Sequence, residues 1–147
     1  METEFRVVLD TNVIIASQNA SSNSPNREIL CRWIDGQFQV LYSNDILEEY
    51  YRKLIENQIP QEIIEEFFSL IFLLAEEVTI RFVHFPHHHY PEDPDDIAFV
   101  LCADNGSASH LVGYDSHLLK LNKYYPFTIC QPIPFLEELR SLLQENN

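Results

Sequence analysis

The sequence is poor in residues on which several common classes of protein depend. It has three glycines in 147 residues, and none of them forms a glycine-rich loop for a nucleotide phosphate. Its three cysteines show neither metal-ligand nor paired-disulfide spacing, so we expect reduced, mostly buried thiols. There is no apolar run of membrane-spanning length and no signal-peptide pattern at the N-terminus. These absences predict a cytoplasmic protein without a membrane anchor.

Basic residues are also scarce. Nine lysines and arginines stand against 23 aspartates and glutamates, which gives a formal net charge of −14. This charge excludes a broad basic face of the kind that holds nucleic acid by its phosphates. It does not exclude chemistry on a phosphodiester, because clustered carboxylates bind divalent metal ions that in turn contact phosphate. The acidic balance favours a cationic partner or a weak intrinsic affinity for nucleic acid.

The pattern of the chain predicts one α/β domain over residues 1–147. Short β-branched runs alternate with helical periodicity, which is typical of a parallel sheet covered on both faces. The closing segment PFLEELRSLL predicts a last helix. The predicted strands are 7–9, 38–43, 78–83, 109–115 and 126–130. The predicted helices begin near residue 13 and then cover 27–36 with Asn26 as N-cap, 45–58, 61–77, 94–106, 116–125 and 134–143.

Four acids occupy comparable positions along this predicted sheet. Asp10 follows the first strand, Glu48 or Glu49 lies in the helix after the second, Asp96 opens a helix, and Asp115 follows a later strand. In a parallel sheet the carboxyl ends of the strands and the starts of the next helices share one edge, so the four side chains are expected to converge. The alternative is that the aspartates are independent helix caps and the glutamates form a solvated helix face.

A convergent set of carboxylates needs a cation. Like charges a few ångströms apart repel strongly and raise one another's pKa. Magnesium or manganese is the usual occupant of a site made only of oxygen ligands. Such an ion can position water and stabilise the charge of an in-line attack on a phosphodiester, so the pattern indicates metal-dependent phosphodiester hydrolysis.

Four motifs carry a resemblance to a known family. The segments VVLDTN, SNDILEEYYRKL, DPDDIAFVLCA and HLVGYDSHLLKL follow one another in this order. Together they resemble the PIN domain family, and within it the VapC-like toxin components of bacterial toxin–antitoxin systems. The resemblance extends over nearly the whole chain, including the closing PFLEEL helix. Any one motif, such as DTN, would be weak, and the ordered set is specific.

The resemblance implies a three-layer α/β/α fold with a central parallel sheet and a magnesium- or manganese-dependent ribonuclease that cuts RNA. It also implies inhibition by an antitoxin protein and a homodimer. By the same resemblance, the catalytic acids are Asp10, Glu49, Asp96 and Asp115, of which Asp10, Asp96 and Asp115 hold the metal. Glu49 completes the site or orients water, with Glu48 as the alternative if the register slips by one residue. The residues expected to support the site are Asn12, Glu48, Asp93 and His117.

The sequence also departs from the family pattern. His117 stands where relatives commonly carry a second acid, Ile97 stands where many have an acid or amide, and bulky Tyr114 precedes Asp115. These changes support a rival hypothesis, in which a catalytically weakened or inactive PIN-like domain serves as a protein-binding or regulatory module. In the toxin hypothesis, the negative charge favours a basic antitoxin segment whose Arg or Lys inserts among the carboxylates.

Overall fold

A computed structural model describes residues 4–19, 21 and 23–144 of the chain. In this part of the chain, five strands form one sheet in the order β3-β2-β1-β4-β5, and every neighbouring pair is parallel. The strands are β1 (Arg6–Leu9), β2 (Gln39–Tyr42), β3 (Glu76–Glu77), β4 (His110–Val112) and β5 (Thr128–Cys130).

Helices connect these strands and cover the sheet. Parallel neighbours need long crossovers, and the crossovers bring helices onto both faces. The helices are α1 (Thr11–Asn19), α2 (Pro25–Ile34), α3 (Asn44–Glu56), α4 (Gln61–Leu74), α5 (Pro94–Asn105), α6 (Ser116–Leu119) and α7 (Pro132–Leu142). Helix α5 packs against β1, β2 and β4, and α7 packs against β4 and α2. The three-layer α/β/α architecture with a central parallel sheet is thereby confirmed.

The central strand is buried on both faces. Val7, Val8 and Leu9 of β1 have at most 1% of their surface exposed, which explains why this strand reads as a continuous apolar run instead of an alternating one. Aromatic side chains of the covering helices complete the core. Among them, Tyr50 of α3 contacts the rings of Phe67 and Phe99.

The strand order creates a crevice at the carboxyl edge of the sheet. The chain runs outward from β1 to β2 and β3, and then returns to place β4 and β5 on the other side of β1. Leu9 pairs with Val112 in register, and the N–H of Asp10 donates to the carbonyl of Val112 at 2.9 Å. The ends of β1 and β4 therefore lie side by side at a topological switch point, where open α/β sheets place their ligands.

The predicted strand 78–83 is wrong. Strand β3 covers only Glu76–Glu77 and ends where the Val78 N–H donates to the Tyr42 carbonyl. The segment that follows is held by a side chain instead of a neighbouring strand. Asn105 Oδ1 accepts from the N–H groups of Arg81 (2.8 Å) and Phe82 (3.1 Å). An amide side chain at the end of α5 thus satisfies backbone groups that the sequence pattern assigns to a sheet.

Several predicted helix boundaries also need correction. The N-cap of α2 is Ser24, not Asn26, because Ser24 Oγ accepts from the Asn26 N–H and Pro25 occupies the first turn. Helix α1 begins at Thr11, two residues before the predicted start near residue 13, and continues to Asn19. The predicted helix 61–77 ends at Leu74, and the predicted helix 116–125 ends at Leu119 and is followed by a 3₁₀ turn over 122–124.

Of the three cysteines, Cys102 is buried and Cys130 is half-buried, whereas Cys31 is exposed. All three are free thiols, and two of the three are at least half-buried, which agrees with the expectation of mostly buried thiols. None of the helices in the described ranges is both long and apolar enough to cross a bilayer.

Candidate active site

Asp10 is the first residue beyond the buried part of β1. Its side chain has 4% of its surface exposed, and Oδ1 accepts from the Thr11 N–H at 2.8 Å. Burial raises the pKa of Asp10 to about 6; the Thr11 hydrogen bond opposes this shift, and the negative charges of Asp115, Glu49 and Asp93 add to it. A carboxyl group is therefore kept in the crevice at an electrostatic cost, which is typical of functional sites.

Glu49 lies on helix α3, and its charge acts on Asp10. The helix begins after Ser43, whose Oγ accepts from the Ile46 N–H at 3.4 Å. The next residue, Tyr50, donates its hydroxyl to the Leu9 carbonyl at 2.5 Å, which fixes α3 against the end of β1. Glu49 is buried beside Asp10. Glu48 is turned by about 100° around the helix and is exposed. The geometry therefore favours Glu49 over Glu48 as the acid of the candidate site.

Asp96 enters from the first turn of α5. Asp93 is the N-cap of this helix and accepts from the Asp95 N–H at 3.0 Å, and Pro94 occupies the first helical position. Asp96 then points inward with 7% of its surface exposed. Burial raises the pKa of Asp96 to about 8, and a hydrogen bond with Asp115 and the charge of Asp10 add to the shift. Asp96 Oδ2 is buried and has no hydrogen-bond partner among the described residues.

Asp115 completes the group from the loop after β4. It is half-buried, and its Oδ1 accepts from the His117 N–H at 2.9 Å as the N-cap of α6. The hydrogen bond with Asp96 is the main cause that lowers the pKa of Asp115. The two carboxyls therefore hold one proton between them and titrate as a pair. Sharing one proton removes the repulsion between the two carboxylates when no metal ion lies between them.

The helix-cap alternative explains only part of this arrangement. Asp115 does cap a helix, and Asp93 caps α5. Asp96, however, is not the cap of its helix, and neither capping nor solvation accounts for the burial of Asp10 and Glu49. Asp96 interacts with Asp10 and Asp115, and the charge of Glu49 acts on Asp10; the four side chains come from four separate elements of the fold.

The remaining predicted residues lie around this centre. Asn12 is exposed at the start of α1. His117 is exposed, and its Nδ1 lies 3.3 Å from Glu92 Oε2, which turns the imidazole toward the surface. Ile97 lines a cavity of about 330 Å³ between α3 and α5, together with Glu48, Glu49 and Arg52.

Four residues near the site escaped the sequence analysis. Gly113 lies so close to Asp10 that a Cβ atom there would be 2.9 Å from Asp10 Cβ and 3.0 Å from its Oδ2. Thr11 buries an Oγ1 that has no hydrogen-bond partner in the described ranges. Tyr50 donates to the Leu9 carbonyl, and Arg52 donates to Glu49 Oε2. The only signal for Gly113 in the sequence is its rarity, since the chain has three glycines and this one lies within the predicted strand 109–115, which ends at Val112 in the structure.

The donor set suits a hard, hydrated metal ion. No group of three or more His, Cys, Asp or Glu side chains in the described ranges is already arranged to hold a metal ion. Magnesium, however, keeps several waters and commonly uses only one or two carboxylates of the protein. The coupled pair Asp96 and Asp115 supplies that number, and Asp96 Oδ2 offers an unpartnered oxygen. Asp10 adds a third carboxylate beside the pair.

Comparison with known proteins gives a family. A family model described as PIN domain matches residues 6–117, about three quarters of the chain. The chain belongs to the PIN domain family. The match includes Asp10, Glu49, Asp96 and Asp115, and it ends before β5 and α7, so it covers less of the chain than the resemblance in sequence suggests. No curated protein matches the chain.

PIN domains are generally nucleases and generally use divalent metal ions. Membership therefore indicates a nuclease-type hydrolase, and it agrees with the position of the acids at the switch point of the sheet.

Proposed function

We propose that this chain is an endoribonuclease that depends on magnesium or manganese and cleaves RNA phosphodiester bonds. The single observation that carries the proposal is the convergence of Asp10, Glu49, Asp96 and Asp115 from four elements of a PIN domain. Two of these acids, Asp10 and Asp96, are buried at raised pKa, and a divalent cation would relieve their repulsion.

The positions of the acids support the following roles. Asp96 and Asp115 are the principal metal ligands, and Asp10 supports them from the end of β1. Glu49, which approaches from α3, accepts a proton from the attacking water or holds that water in line. The bound ion would supply a positioned water of lowered pKa and charge stabilisation at the phosphate. It also offsets the repulsion between RNA and a chain of net charge −14.

The proposal also includes a biological role. We propose that the chain is the toxin of a toxin–antitoxin pair, acts in the cytoplasm and forms a homodimer. Its acidic balance supports a basic antitoxin, in which an Arg or Lys would occupy the place of the metal among the carboxylates. Induced expression should arrest growth, and the Asp96→Asn variant, expressed at the same level, should not.

The decisive experiment is cleavage of a panel of single-stranded RNAs in manganese, magnesium or EDTA. Variants Asp10→Asn and Asp96→Asn serve as inactive controls, provided that circular dichroism shows them folded. Cutting that needs metal and is lost in both variants supports the nuclease. Cutting that persists in both variants would identify a contaminating nuclease.

A second candidate is a PIN-like domain that binds protein without cleaving RNA. It is favoured by Ile97 in the cavity wall, by the pairing of His117 with Glu92, and by the absence of a ready metal-binding cluster in the described ranges. No cleavage together with no manganese-induced rise in melting temperature would make this candidate the better one.

A further inference from the structure

Arg52 lies on the solvent side of the acid cluster and contacts two of the helices that build it. It is one turn beyond Glu49 on α3, and its Nη2 donates to Glu49 Oε2. The same nitrogen lies 3.5 Å from Asp95 Oδ2 on α5. The Arg52 side chain is 49% exposed and the Glu49 side chain 10%. From solvent inward, the order is thus Arg52, Glu49 and the buried Asp10.

This arrangement gives Glu49 an attraction on one side and repulsion on the other. The carboxyl group of Asp10 lies inside and interacts with Glu49, and Coulomb repulsion favours rotation of Glu49 toward water. Its contact with Arg52 opposes that rotation. Arg52 also contacts Asp95 in the first turn of α5. Because Asp95 directly precedes Asp96, this contact also restricts the position of Asp96.

An ordinary surface ion pair would be worth little. Arg52 differs because its planar guanidinium contacts acids on two helices at once, and Nη1 also lies 3.8 Å from Glu56 Oε1. Lys53, the next residue, provides the contrast. Its Nζ lies 3.5 Å from Glu56 Oε2 and pairs only within α3.

We propose that Arg52 is a positioning residue of the candidate nuclease site: by bridging Glu49 on α3 and Asp95 on α5, it holds Glu49 toward Asp10 and fixes the first turn of α5, from which Asp96 would bind a divalent cation. The inference rests on the proposed function. Arg52 acts through these acids and is not assigned a contact with the substrate.

Charge and positioning predict opposite effects on metal affinity. If Arg52 were only a nearby positive charge, its removal would strengthen the binding of another cation. If it positions the acids, its removal weakens binding, since loss of a residue that orients metal-site acids typically costs about 10-fold or more in affinity or activity. The sign of the change therefore separates the two explanations.

The first measurement is calorimetric titration of the full chain with manganese chloride, with no RNA present. Arg52→Gln is expected to bind manganese about tenfold more weakly than the unaltered chain. The control Lys53→Gln is expected to bind manganese as tightly as the unaltered chain. Arg52→Lys should bind manganese as weakly as Arg52→Gln, because a single ammonium group cannot contact Glu49 and Asp95 in the way that the planar guanidinium does. Unchanged or tighter binding in Arg52→Gln, or full restoration by lysine, overturns the bridge.

The second measurement is a double-mutant cycle in RNA cleavage with Arg52→Gln, Glu49→Gln and the double variant. Arg52→Gln should lower kcat and leave KM within about twofold, and it should have little further effect once Glu49 is removed. A raised KM that persists in the Glu49→Gln background would indicate a direct contact with RNA phosphate and overturn the proposal.

The two measurements also separate this inference from the function on which it rests. An unaltered chain that neither binds manganese nor cuts RNA removes the proposed function and the role of Arg52 together. An unaltered chain that does both, with an Arg52→Gln variant that behaves identically, removes only the role of Arg52.

Discussion

Gly113 packs directly against the carboxyl group of Asp10. A Cβ atom at residue 113 would lie 2.9 Å from Asp10 Cβ, closer than real Cβ contacts come, and 3.0 Å from Oδ2, tighter than most of them. The Gly113 N–H donates to the Cys130 carbonyl at 3.0 Å, so the backbone at this point is held by β5. The glycine allows the end of β4 to approach the end of β1 closely enough for Asp10 and Asp115 to interact.

Gly113→Ala should therefore displace Asp10. We expect a loss of about 1 to 3 kcal/mol in the free energy of unfolding from overpacking, together with weaker manganese binding and slower RNA cleavage. Gly106→Ala is the matched control, because its Cβ would crowd Val78 (2.8 Å) and Leu41 (3.0 Å) instead of an acid. Urea denaturation and calorimetry on both variants test the point. Equal losses of metal affinity in the two variants would mean that general destabilisation is responsible.

The raised pKa values of Asp10 and Asp96 predict a stability that falls as pH rises. Both acids bind protons more tightly in the folded chain than in the unfolded one, so folding is favoured at low pH and this contribution is lost as pH rises through about 6 for Asp10 and about 8 for Asp96. For Asp10, the rise from 3.8 to about 6 corresponds to about 2 to 3 kcal/mol. Denaturation in EDTA between pH 5 and pH 8.5 measures the slope.

Asp10→Asn supplies the control for that slope. Asparagine keeps the oxygen that accepts from the Thr11 N–H but carries no charge. At pH 8 in EDTA, the variant should be more stable than the unaltered chain by about 2 kcal/mol, and the difference should shrink toward pH 5. Asp45→Asn removes an exposed acid of α3 and should show no such gain. A variant of Asp10 less stable than the parent at pH 8 would contradict the repulsion inferred for this site.

The positions of the acids at one edge of the sheet were largely predictable from the sequence, whereas the contacts that hold these acids in place were not. Asp10 and Asp115 stand where apolar strand residues give way to polar ones, and Asp96 follows a Pro that starts a helix; these are local signals. The contact of Gly113 with Asp10 and the bond between Tyr50 and the Leu9 carbonyl join residues far apart in sequence. No local pattern encodes such distances.

The failure at strand 78–83 has the same origin. The segment VTIRFV has the composition of a strand, and local propensity is correctly judged. The Asn105 side chain, more than 20 residues away, binds the backbone of Arg81 and Phe82 and takes the place of a partner strand. Tertiary contacts thus override a real local preference.

Manganese affinity should depend steeply on pH. Carboxylates bind metal only when ionised, and the Asp96–Asp115 pair retains one proton up to about pH 8 because burial and the shared hydrogen bond raise the pKa of Asp96. Each pH unit below 8 should weaken binding by up to about tenfold for the one proton displaced. Calorimetry at pH 6, 7 and 8 tests this dependence. A flat profile would indicate that the ion does not displace the proton of this pair.

Tyr50→Phe should loosen α3 from the end of β1. The hydroxyl is fully buried and donates to the Leu9 carbonyl at 2.5 Å, so its removal leaves a buried acceptor short of a donor and should cost about 1 to 3 kcal/mol. The next residue, Tyr51, has an exposed ring, and Tyr51→Phe should change the free energy of unfolding by less than about 0.5 kcal/mol. Denaturation in urea measures both. Equal stabilities would remove Tyr50 as the anchor of Glu49.

Glu49→Gln and Glu48→Gln separate the two neighbouring glutamates by function. Glu49 is buried beside Asp10, whereas Glu48 is exposed on the wall of the outer cavity. If Glu49 orients or deprotonates the attacking water, Glu49→Gln should lower kcat by about 100-fold or more. The kcat of Glu48→Gln should stay within about twofold of that of the unaltered chain. Single-turnover cleavage of RNA in manganese gives both rates directly. The reverse order would move the catalytic role to Glu48, and it would require α3 to turn by about 100° relative to β1 when RNA binds. Since Tyr50 ties the helix to the Leu9 carbonyl, such a turn would have to break that hydrogen bond, so the arrangement present in the fold favours Glu49.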